Sequence, residues 1–198
     1  LDDEQRDFAS TIRDSGDALL TIINDILDFS KIEAGRMDNE RHPFDLRECV
    51  ESALDLIAPR AAEKHLDVAY VFESGPAGEE VPPAIEGDVT RLRQILLNLL
   101  SNAVKFTKEG SVRMAVERLP GMIQIQVIDT GIGISPEAQK NLFQKFVQAE
   151  GGHTRKYGGT GLGLVICKHL MEMMGGTIDL RSEGSGKGTS MILQVNIA

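Results

Sequence analysis

The chain has 198 residues, of which 41% are hydrophobic and 26% are charged, so it can form one substantial domain with a small appendage. Its formal net charge of −9 argues against a nucleic-acid partner, because phosphate backbones are bound mainly by lysine and arginine. It has neither a signal peptide nor an apolar run of the roughly 18 residues that a membrane-spanning helix needs, so we expect a cytoplasmic chain whose parent protein could still be membrane-anchored.

The first stretch, from Leu1 to about Glu33, carries apolar residues at heptad spacing and predicts one long amphipathic helix. These residues are Phe8, Ile12, Leu19, Ile22, Ile26 and Phe29, with Leu20, Ile23 and Leu27 widening the stripe. A stripe of this width suits a four-helix bundle, and a lone helix has nothing in its own chain to bury it against. We therefore expect it to find partner helices, most simply in a homodimer formed through residues 1–33.

Gly35 ends this helix, and a short strand around Met37–Phe44 is expected to follow it. Asp45 is a credible N-cap with Glu48 as its capping-box partner, which predicts a second helix through about Lys64. The predicted apolar face of that helix consists of Leu46, Val50, Leu54, Ile57 and Ala61.

Pro59 lies within this second helix and is expected to kink or interrupt it, because proline lacks an amide hydrogen and clashes with the preceding turn. Residues Asp67–Glu73 indicate a strand. A loop rich in glycine, proline and glutamate follows at 74–83, and Ile85–Gly87 predicts another short strand.

The stretch Arg91–Thr107 predicts a buried helix that carries polar groups on one face, with Asp88 as its expected N-cap. Asn98 and Asn102 lie four residues apart, and Lys105 and Phe106 continue the same face. A carboxamide buried without partners costs about 1–3 kcal/mol, so two of them require a ligand or a network. A hydrated Mg²⁺ with attached phosphates would meet this need; the alternative is that each amide caps the backbone of a neighbouring loop.

Two pairs of alternating apolar and polar stretches predict two β-hairpins. The pairs are Ser111–Leu119 with Met122–Asp129, joined at Pro120-Gly121, and Ile178–Ser182 with Thr189–Ile197. Together with helices near 46–64, 88–106 and 161–174, they predict an α/β two-layer sandwich with three helices on one face of a mixed sheet.

Asp129 ends an apolar strand and is followed by Thr130-Gly131-Ile132-Gly133, where the backbone is expected to approach a neighbour closely. The Asp129 carboxylate is therefore held at the end of a strand, where it either contacts that neighbour or caps its own turn.

The segment 133–161 is long, polar and rich in glycine, which is typical of a lid over a binding site. Phe143 and Phe146, on a short helix within it, would anchor the lid or serve as ordinary packing residues. Arg155 and Lys156 could reach phosphate or remain solvated surface charges.

The sequence Gly159-Thr160-Gly161-Leu162-Gly163 opens the last long helix, whose free amides and positive dipole end suit an anion. The later stretch Gly184–Thr189 looks like a P-loop, but a glycine follows its lysine and Arg181 stands where the first glycine is required. We therefore interpret it as the turn between the last two strands.

Four stretches in this order closely resemble the N, G1, F and G2 boxes of the sensor histidine kinases. They are RLRQILLNLLSNAVKFT (91–107), IDTGIGIS (128–135), NLFQKFVQ (141–148) and YGGTGLGLVICKHLMEMMGG (157–176). These kinases belong to a wider ATP-binding superfamily, often called GHKL, that includes gyrase, mismatch-repair ATPases and heat-shock chaperones. The resemblance implies the Bergerat-type fold of that superfamily.

The first helix resembles the second helix of the kinases' dimerisation and phosphotransfer hairpin, and its ending LDFSKIEAG (27–35) is similar to that of the hybrid type. The resemblance implies two parts: this helix at 1–35 and a catalytic ATP-binding domain at 36–198. The preceding helix of the hairpin, with the phosphorylated histidine in a motif like HExRTPL, has no counterpart in this sequence. His42, His65, His153 and His169 all lack that context.

The resemblance implies that the γ-phosphoryl group of Mg-ATP is transferred to a histidine on a dimerisation helix not present in this chain, for relay to the receiver domain of a response regulator. The implied catalytic residues are Asn98 and Lys105, and Asn102 would hold Mg²⁺. The implied nucleotide-binding residues are Asn98, Asn102, Lys105, Phe106, Asp129, Gly131, Gly133, Ile134, Lys156, Tyr157, Gly159, Thr160, Gly161, Leu162, Gly163 and Thr189, the last resembling a threonine that supports the adenine-binding aspartate.

Gyrase-like relatives carry a glutamate that activates water where this helix has Asn98, so we expect slow hydrolysis and favour a kinase. The alternatives are a GHKL-type ATPase that acts as a conformational clamp, and a nucleotide-binding scaffold without catalysis.

Overall fold

The structure, a computed structural model, describes residues 2–76, 78–144 and 161–197. It begins with a 31-residue helix, α1 (Asp3–Glu33), that starts with a capping box: the Asp2 carboxylate accepts from the Gln5 amide at 2.8 Å, and the Gln5 side chain accepts from the Asp2 amide at 3.2 Å. Gly35, with φ of 61°, follows its last turn. The predicted first helix is therefore present over almost its whole expected length.

The remaining elements alternate between strands and helices. In chain order they are β1 (His42–Asp45), α2 (Leu46–Glu63), β2 (Asp67–Glu73), β3 (Ala84–Gly87), α3 (Val89–Phe106), β4 (Ser111–Leu119), β5 (Met122–Asp129), α4 (Pro136–Gln139), α5 (Gly163–Met173), β6 (Thr177–Arg181) and β7 (Thr189–Asn196). Asp45 and Asp88 cap α2 and α3 by accepting from the amides of Glu48 and Arg91 at 3.0 Å in each case.

Five strands form one mixed sheet in the order β2-β4-β5-β7-β6. β2 runs parallel to β4, and every other neighbouring pair is antiparallel, including the predicted hairpin β4–β5 and the predicted pair β6–β7. A connection through α3 is what allows the parallel pairing of β2 with β4. β1 and β3 form a separate antiparallel pair, which the sequence did not indicate.

One face of the sheet and three helices make a single hydrophobic core. The strands contribute Val112, Met114, Val116, Ile123, Ile125, Val127, Met191, Leu193 and Val195, which are all buried and share one face by their register. The helices contribute the predicted apolar face of α2, most of the apolar residues of α3, and Ile166, Cys167, Leu170 and Met171 of α5. The opposite face carries glutamines such as Gln124 and Gln194, so the architecture is the predicted two-layer sandwich.

Two details of the predicted elements are corrected. Strand β1 begins at His42 rather than Met37, because only residues 42–45 pair with β3. Helix α2 continues without a break through Pro59. The helical hydrogen bond that proline removes would have ended at the carbonyl of Asp55, an exposed residue, so water can satisfy that carbonyl.

The predicted helix around Phe143 is only partly covered by the described residues. Helix α4 lies earlier, at Pro136–Gln139, and residues 140–144 form turns. Phe143 is partly buried and packs against the core. Phe146 lies outside the described residues.

The C-terminal end of α1 packs on the core of the sandwich through Phe29 and Ile32, and the Gln94 amide of α3 donates to the Asp28 carboxylate at 2.6 Å. The rest of its apolar stripe is exposed, as shown by Ile12 at 72% and Leu19 at 57%. Among the described residues, no helix combines the length and apolarity needed to cross a membrane.

Candidate functional site

The predicted polar face of α3 exists, and its two asparagines bond to each other. The Asn102 amide nitrogen donates to the Asn98 side-chain oxygen at 3.1 Å, and both residues are partly buried. The pair therefore satisfies one donor and one acceptor internally and leaves further amide groups available to a ligand. The apolar residues on the opposite side of α3, including Leu96 and Leu100 at 0% exposure, fix the orientation of this face.

Gly163, at the start of α5, lies directly against the Asn98 carboxamide. A Cβ atom at this glycine would be 2.5 Å from Asn98 Nδ2 and 3.1 Å from Asn98 Oδ1. Any larger residue would displace the Asn98 carboxamide, so glycine at this position keeps that side chain where the structure shows it. The structure thus joins the asparagine helix to the glycine-rich start of α5, with Gly161 (φ 69°) and the buried Leu162 just before it.

The C-terminal end of α3 carries Lys105 and Phe106 towards the loop that follows β5. Lys105 Nζ lies 5.0 Å from the centre of the Phe106 ring, and burial lowers the pKa of Lys105. The Phe106 carbonyl accepts from the Ile132 amide at 3.2 Å, and a Cβ at Gly131 would lie 2.5 Å from that same carbonyl oxygen. Gly131 is therefore needed for this close packing rather than for an unusual φ.

Asp129 is the last residue of β5 and points to the same face of the sheet as the buried Val127. Its carboxylate accepts from the Gly131 amide at 2.8 Å and from the backbone amide of Thr189 on β7. Burial raises the pKa of Asp129, and the two amide hydrogen bonds oppose that rise. Asp129 thus caps its own turn, as the alternative interpretation proposed, while it remains a partly buried carboxylate close to the end of α3.

The turn between β6 and β7 supports the loop that follows Asp129. Gly133 has φ of 65°, and a Cβ there would lie 2.0 Å from the Gly184 carbonyl oxygen. The Ser182 hydroxyl accepts from the Ile134 amide at 3.0 Å and donates to the Gly188 carbonyl at 2.7 Å. The stretch that looks like a P-loop is therefore the predicted turn, and it packs against the loop at Gly133 and Ile134.

Gln139 of α4 links the loop after Asp129 to the end of β6, because one side-chain nitrogen donates to the carbonyls of Ile134 and Ser182 at 2.8 and 2.9 Å. Sequence analysis missed Gln139 and Ser182 because neither stands in a motif with a recognisable spacing. It also missed Thr107, which is fully buried and donates its hydroxyl to the Ala103 carbonyl at 2.7 Å.

Several predicted residues cannot be placed. Lys156, Tyr157, Gly159 and Thr160 lie outside the described residues, as do Arg155 and His153. Of the remaining histidines, His42 and His65 are exposed, and His169 Nδ1 lies 3.5 Å from the Glu172 carboxylate.

A pocket of about 370 Å³ lies at the other end of α3, around Asp88, Leu92 and Met173. None of the candidate site residues lines it. Shape alone therefore does not mark the site, and the evidence for it is the convergence of polar and glycine residues around the C-terminal half of α3.

Comparison with known proteins gives two family matches. Residues 87–198 match the model described as histidine kinase-, DNA gyrase B-, and HSP90-like ATPase. Residues 1–35 match the His kinase A (phospho-acceptor) domain. The first match covers more than half of the chain.

Individual relatives agree with these matches. The chain is 44% identical over 203 residues to the sensor protein GacS of Pseudomonas syringae pv. syringae, covering 100% of this chain and 22% of GacS. It is 41% identical over 198 residues to the signal transduction histidine-protein kinase BarA of Escherichia coli K12, covering 98% of this chain and 21% of BarA. The chain thus spans about a fifth of the length of these relatives.

Among solved structures, full-length ShkA in complex with AMPPNP matches with a TM-score of 0.80 and 34% identity, covering 100% of this chain and 40% of ShkA. The matched structure contains the long helix as well as the sandwich, because the match extends over the whole chain. The chain therefore belongs to the family of histidine kinase-, DNA gyrase B- and HSP90-like ATPases, and the relatives that it matches over its whole length are sensor histidine kinases.

Proposed function

We propose that this chain is the ATP-binding catalytic part of a sensor histidine kinase, with residues 1–35 as the second helix of a dimerisation hairpin and residues 36–198 as the catalytic domain. The observation that carries the proposal is the convergence around α3: Asn98 contacts Gly163 of α5, and the Phe106 carbonyl bonds to the loop that follows Asp129. One helix therefore connects a carboxylate suited to adenine with a helix start suited to phosphates.

The chain's own groups would bind and orient the nucleotide. Asp129 would accept a hydrogen bond from the adenine amino group, with Gly131 and Gly133 allowing the base to lie against the backbone. Phe106 would lie near the base, and Lys105, Asn98 and the start of α5 would contact the phosphates. Phosphoryl transfer depends mainly on positioning and charge neutralisation, and these residues supply both.

Asn102 is the residue that would hold Mg²⁺, which neutralises phosphate charge when bound. The donor set fits this ion, because Mg²⁺ prefers oxygen ligands, retains several waters and needs few protein groups. The Asn102 side-chain nitrogen is the donor in the bond to Asn98, so that bond does not use the Asn102 side-chain oxygen. Mg²⁺ binding by Asn102 remains part of the proposal.

Asn98 favours transfer to an imidazole over hydrolysis of ATP. A carboxamide cannot accept a proton from water near neutral pH, so it cannot act as the general base that an ATPase requires at this position. The neutral nitrogen of an acceptor histidine needs no such base. The ATPase clamp and the scaffold without catalysis remain the alternatives.

The proposed partners are a histidine-bearing dimerisation helix of the parent kinase and the receiver domain of a response regulator. The exposed apolar stripe of α1 supports a homodimer in the parent, since a stripe this wide needs partner helices. We place this part of the parent in the cytoplasm.

The test combines the chain with γ-labelled ATP, Mg²⁺ and a separately prepared hairpin that carries the family's histidine motif. We expect acid-labile label on the hairpin and none on the chain alone. Release of phosphate without the hairpin would favour the ATPase clamp, and nucleotide binding without transfer, even to a covalently attached hairpin, would favour the scaffold.

Variants assign the site within the same assay. Asn102→Ala and Asp129→Asn are expected to weaken nucleotide binding at least tenfold, which corresponds to the loss of about 1.4 kcal/mol. Asp179→Asn, which changes an exposed carboxylate on β6 in the same way, is the matched control. Unchanged affinity in both site variants would show that the nucleotide binds elsewhere.

A further inference from the structure

The C-terminal end of α3 has an unusual set of partners for its backbone carbonyls. The last four carbonyls of an α-helix have no donor within the helix and must find one elsewhere. Here the Ala103 carbonyl accepts from the amide and the hydroxyl of Thr107, at 3.0 and 2.7 Å. The Phe106 carbonyl accepts from the Ile132 amide at 3.2 Å. The other two terminal carbonyls are those of Val104 and Lys105.

Both of these carbonyls bind the ammonium group of one residue from a different helix. Lys64 Nζ donates to the Val104 carbonyl at 2.7 Å and to the Lys105 carbonyl at 3.1 Å. A cation at this end of a helix also faces the negative end of its dipole. Each of the four terminal carbonyls of α3 thus has a hydrogen-bond donor, and Lys64 supplies the donor for two of them.

The position of Lys64 is fixed by the way in which α2 ends. Lys64 is the C-cap of α2, and its amide donates to the carbonyls of Ala61 and Ala62. His65 follows in the left-handed conformation with φ of 55°, and the Leu66 amide returns to the Ala61 carbonyl at 3.0 Å. Leu66 is then buried at 7% exposure. This turn holds the backbone from which the lysine side chain reaches α3.

We propose that Lys64 is a positioning residue of the nucleotide site: it clamps the Lys105 peptide and so holds Lys105 and Phe106 in place for the ligand. The inference rests on the proposed function, because it assigns no contact between Lys64 and the nucleotide. Lys64 donates to the carbonyl of Lys105 and the Ile132 amide donates to the carbonyl of Phe106, so two successive carbonyls of the last turn of α3 are each held by another element. Losing one support lets the last turn of α3 fray and releases the two side chains that it presents.

The lysine is itself exposed, so solvent screens its interaction and the effect on overall stability should be small. The effect on the last turn should be larger, because two successive carbonyls there lose the ammonium group that they share. If the turn is frayed in the free chain, it must become ordered each time a nucleotide binds. The free-energy cost of this ordering lowers affinity without removing any ligand contact.

The test compares Lys64→Met, which keeps the length of the side chain but removes its donors, with Lys64→Arg, which retains charge and donors. Lys108→Met, an exposed lysine two residues beyond α3, is the control for loss of one positive charge near the same helix end. Three properties are measured on the whole chain: amide hydrogen exchange at 105–107, affinity for Mg-AMPPNP, and kcat and KM for ATP with the supplied hairpin.

For Lys64→Met we expect exchange at 105–107 to be about tenfold faster, and the Mg-AMPPNP Kd and the KM for ATP to rise about three- to tenfold. The melting temperature should stay within a few degrees of the wild type. We expect Lys64→Arg to restore most of the wild-type behaviour and Lys108→Met to leave all three properties unchanged.

Each contrary outcome has a separate meaning. Faster exchange in Lys64→Met with unchanged nucleotide affinity would overturn the positioning role but leave the proposed function intact. Equal losses in Lys64→Met and Lys108→Met would overturn it as well, because the effect would then be one of charge alone. A wild-type chain that binds no nucleotide would overturn the proposed function itself, and the positioning role with it.

Discussion

The contact between Gly163 and Asn98 gives the sharpest test of the site. In Gly163→Ala, the new Cβ would lie 2.5 Å from Asn98 Nδ2, whereas an ordinary contact begins at about 3.4 Å. The distance between these two atoms must therefore increase by roughly 0.9 Å. The nearest atoms are all at the end of the Asn98 side chain, which can change its rotamer without moving the backbone. We therefore expect the carboxamide to swing away and its hydrogen bond with Asn102 to break.

Stability and binding should respond differently to this change. Alanine improves helix propensity by about 0.5–1 kcal/mol, and overpacking costs about 1–3 kcal/mol, so the free energy of unfolding should fall by no more than about 2.5 kcal/mol. Nucleotide binding loses a positioned carboxamide and its partner, a cost of about 1.5–3 kcal/mol for contacts to a charged ligand. That corresponds to a ten- to hundredfold rise in Kd.

The assay is calorimetric titration with Mg-AMPPNP alongside urea unfolding. Gly16→Ala is the matched control, because Gly16 also lies in a helix but no atom would lie within 4 Å of its new Cβ. It should bind nucleotide normally and unfold at the same or a higher urea concentration. A Gly163→Ala chain that binds within twofold of the wild type would refute the argument that close approach of α5 positions Asn98 for the ligand.

Two further predictions concern the loop after β5. Burial raises the folded-state pKa of Asp129, so the folded chain takes up a proton at a higher pH than the unfolded chain does. The free energy of unfolding, compared with that of Asp129→Asn, should therefore rise as the pH falls from neutral through that pKa. Urea unfolding of both chains between pH 4 and pH 7 measures this difference, and a flat or opposite trend would contradict it. Ser182→Ala removes the acceptor of the Ile134 amide and the donor to the Gly188 carbonyl. We therefore expect the free energy of unfolding in urea to fall by about 1–3 kcal/mol and nucleotide binding to weaken. Ser185→Ala, on the exposed turn, should cause neither change.

The elements with strong local signals were predicted well. Asp45 and Asp88 identified the starts of α2 and α3, because a capping carboxylate followed by an apolar run is a local pattern. The alternation of β4 and β5 around Pro120-Gly121 likewise depends on neighbouring residues only. The predicted polar face of α3 followed from helical spacing and is present as a bonded asparagine pair.

Contacts between elements that are distant in the chain could not be predicted from the sequence. Nothing near Lys64 indicates that its side chain ends on two carbonyls about 40 residues later, since that depends on how α2 packs against α3. Gly163 was predicted as part of an anion site, yet its tightest constraint is a side chain on another helix. The interruption predicted at Pro59 is absent, because the carbonyl that this proline leaves unbonded belongs to an exposed residue, which the local sequence does not reveal.

The two ionisable groups of the described site respond in opposite directions to one cause. Burial raises the pKa of the Asp129 carboxyl and lowers that of the Lys105 ammonium, so in each case the charged form is the one that is destabilised. In the proposed mode of binding, an adenine nucleotide brings a hydrogen-bond donor to Asp129 and an anion to Lys105, and so relieves both costs at once. Adenosine alone would relieve only the first cost and inorganic pyrophosphate only the second. We therefore expect a whole nucleotide to bind more tightly than either of its parts.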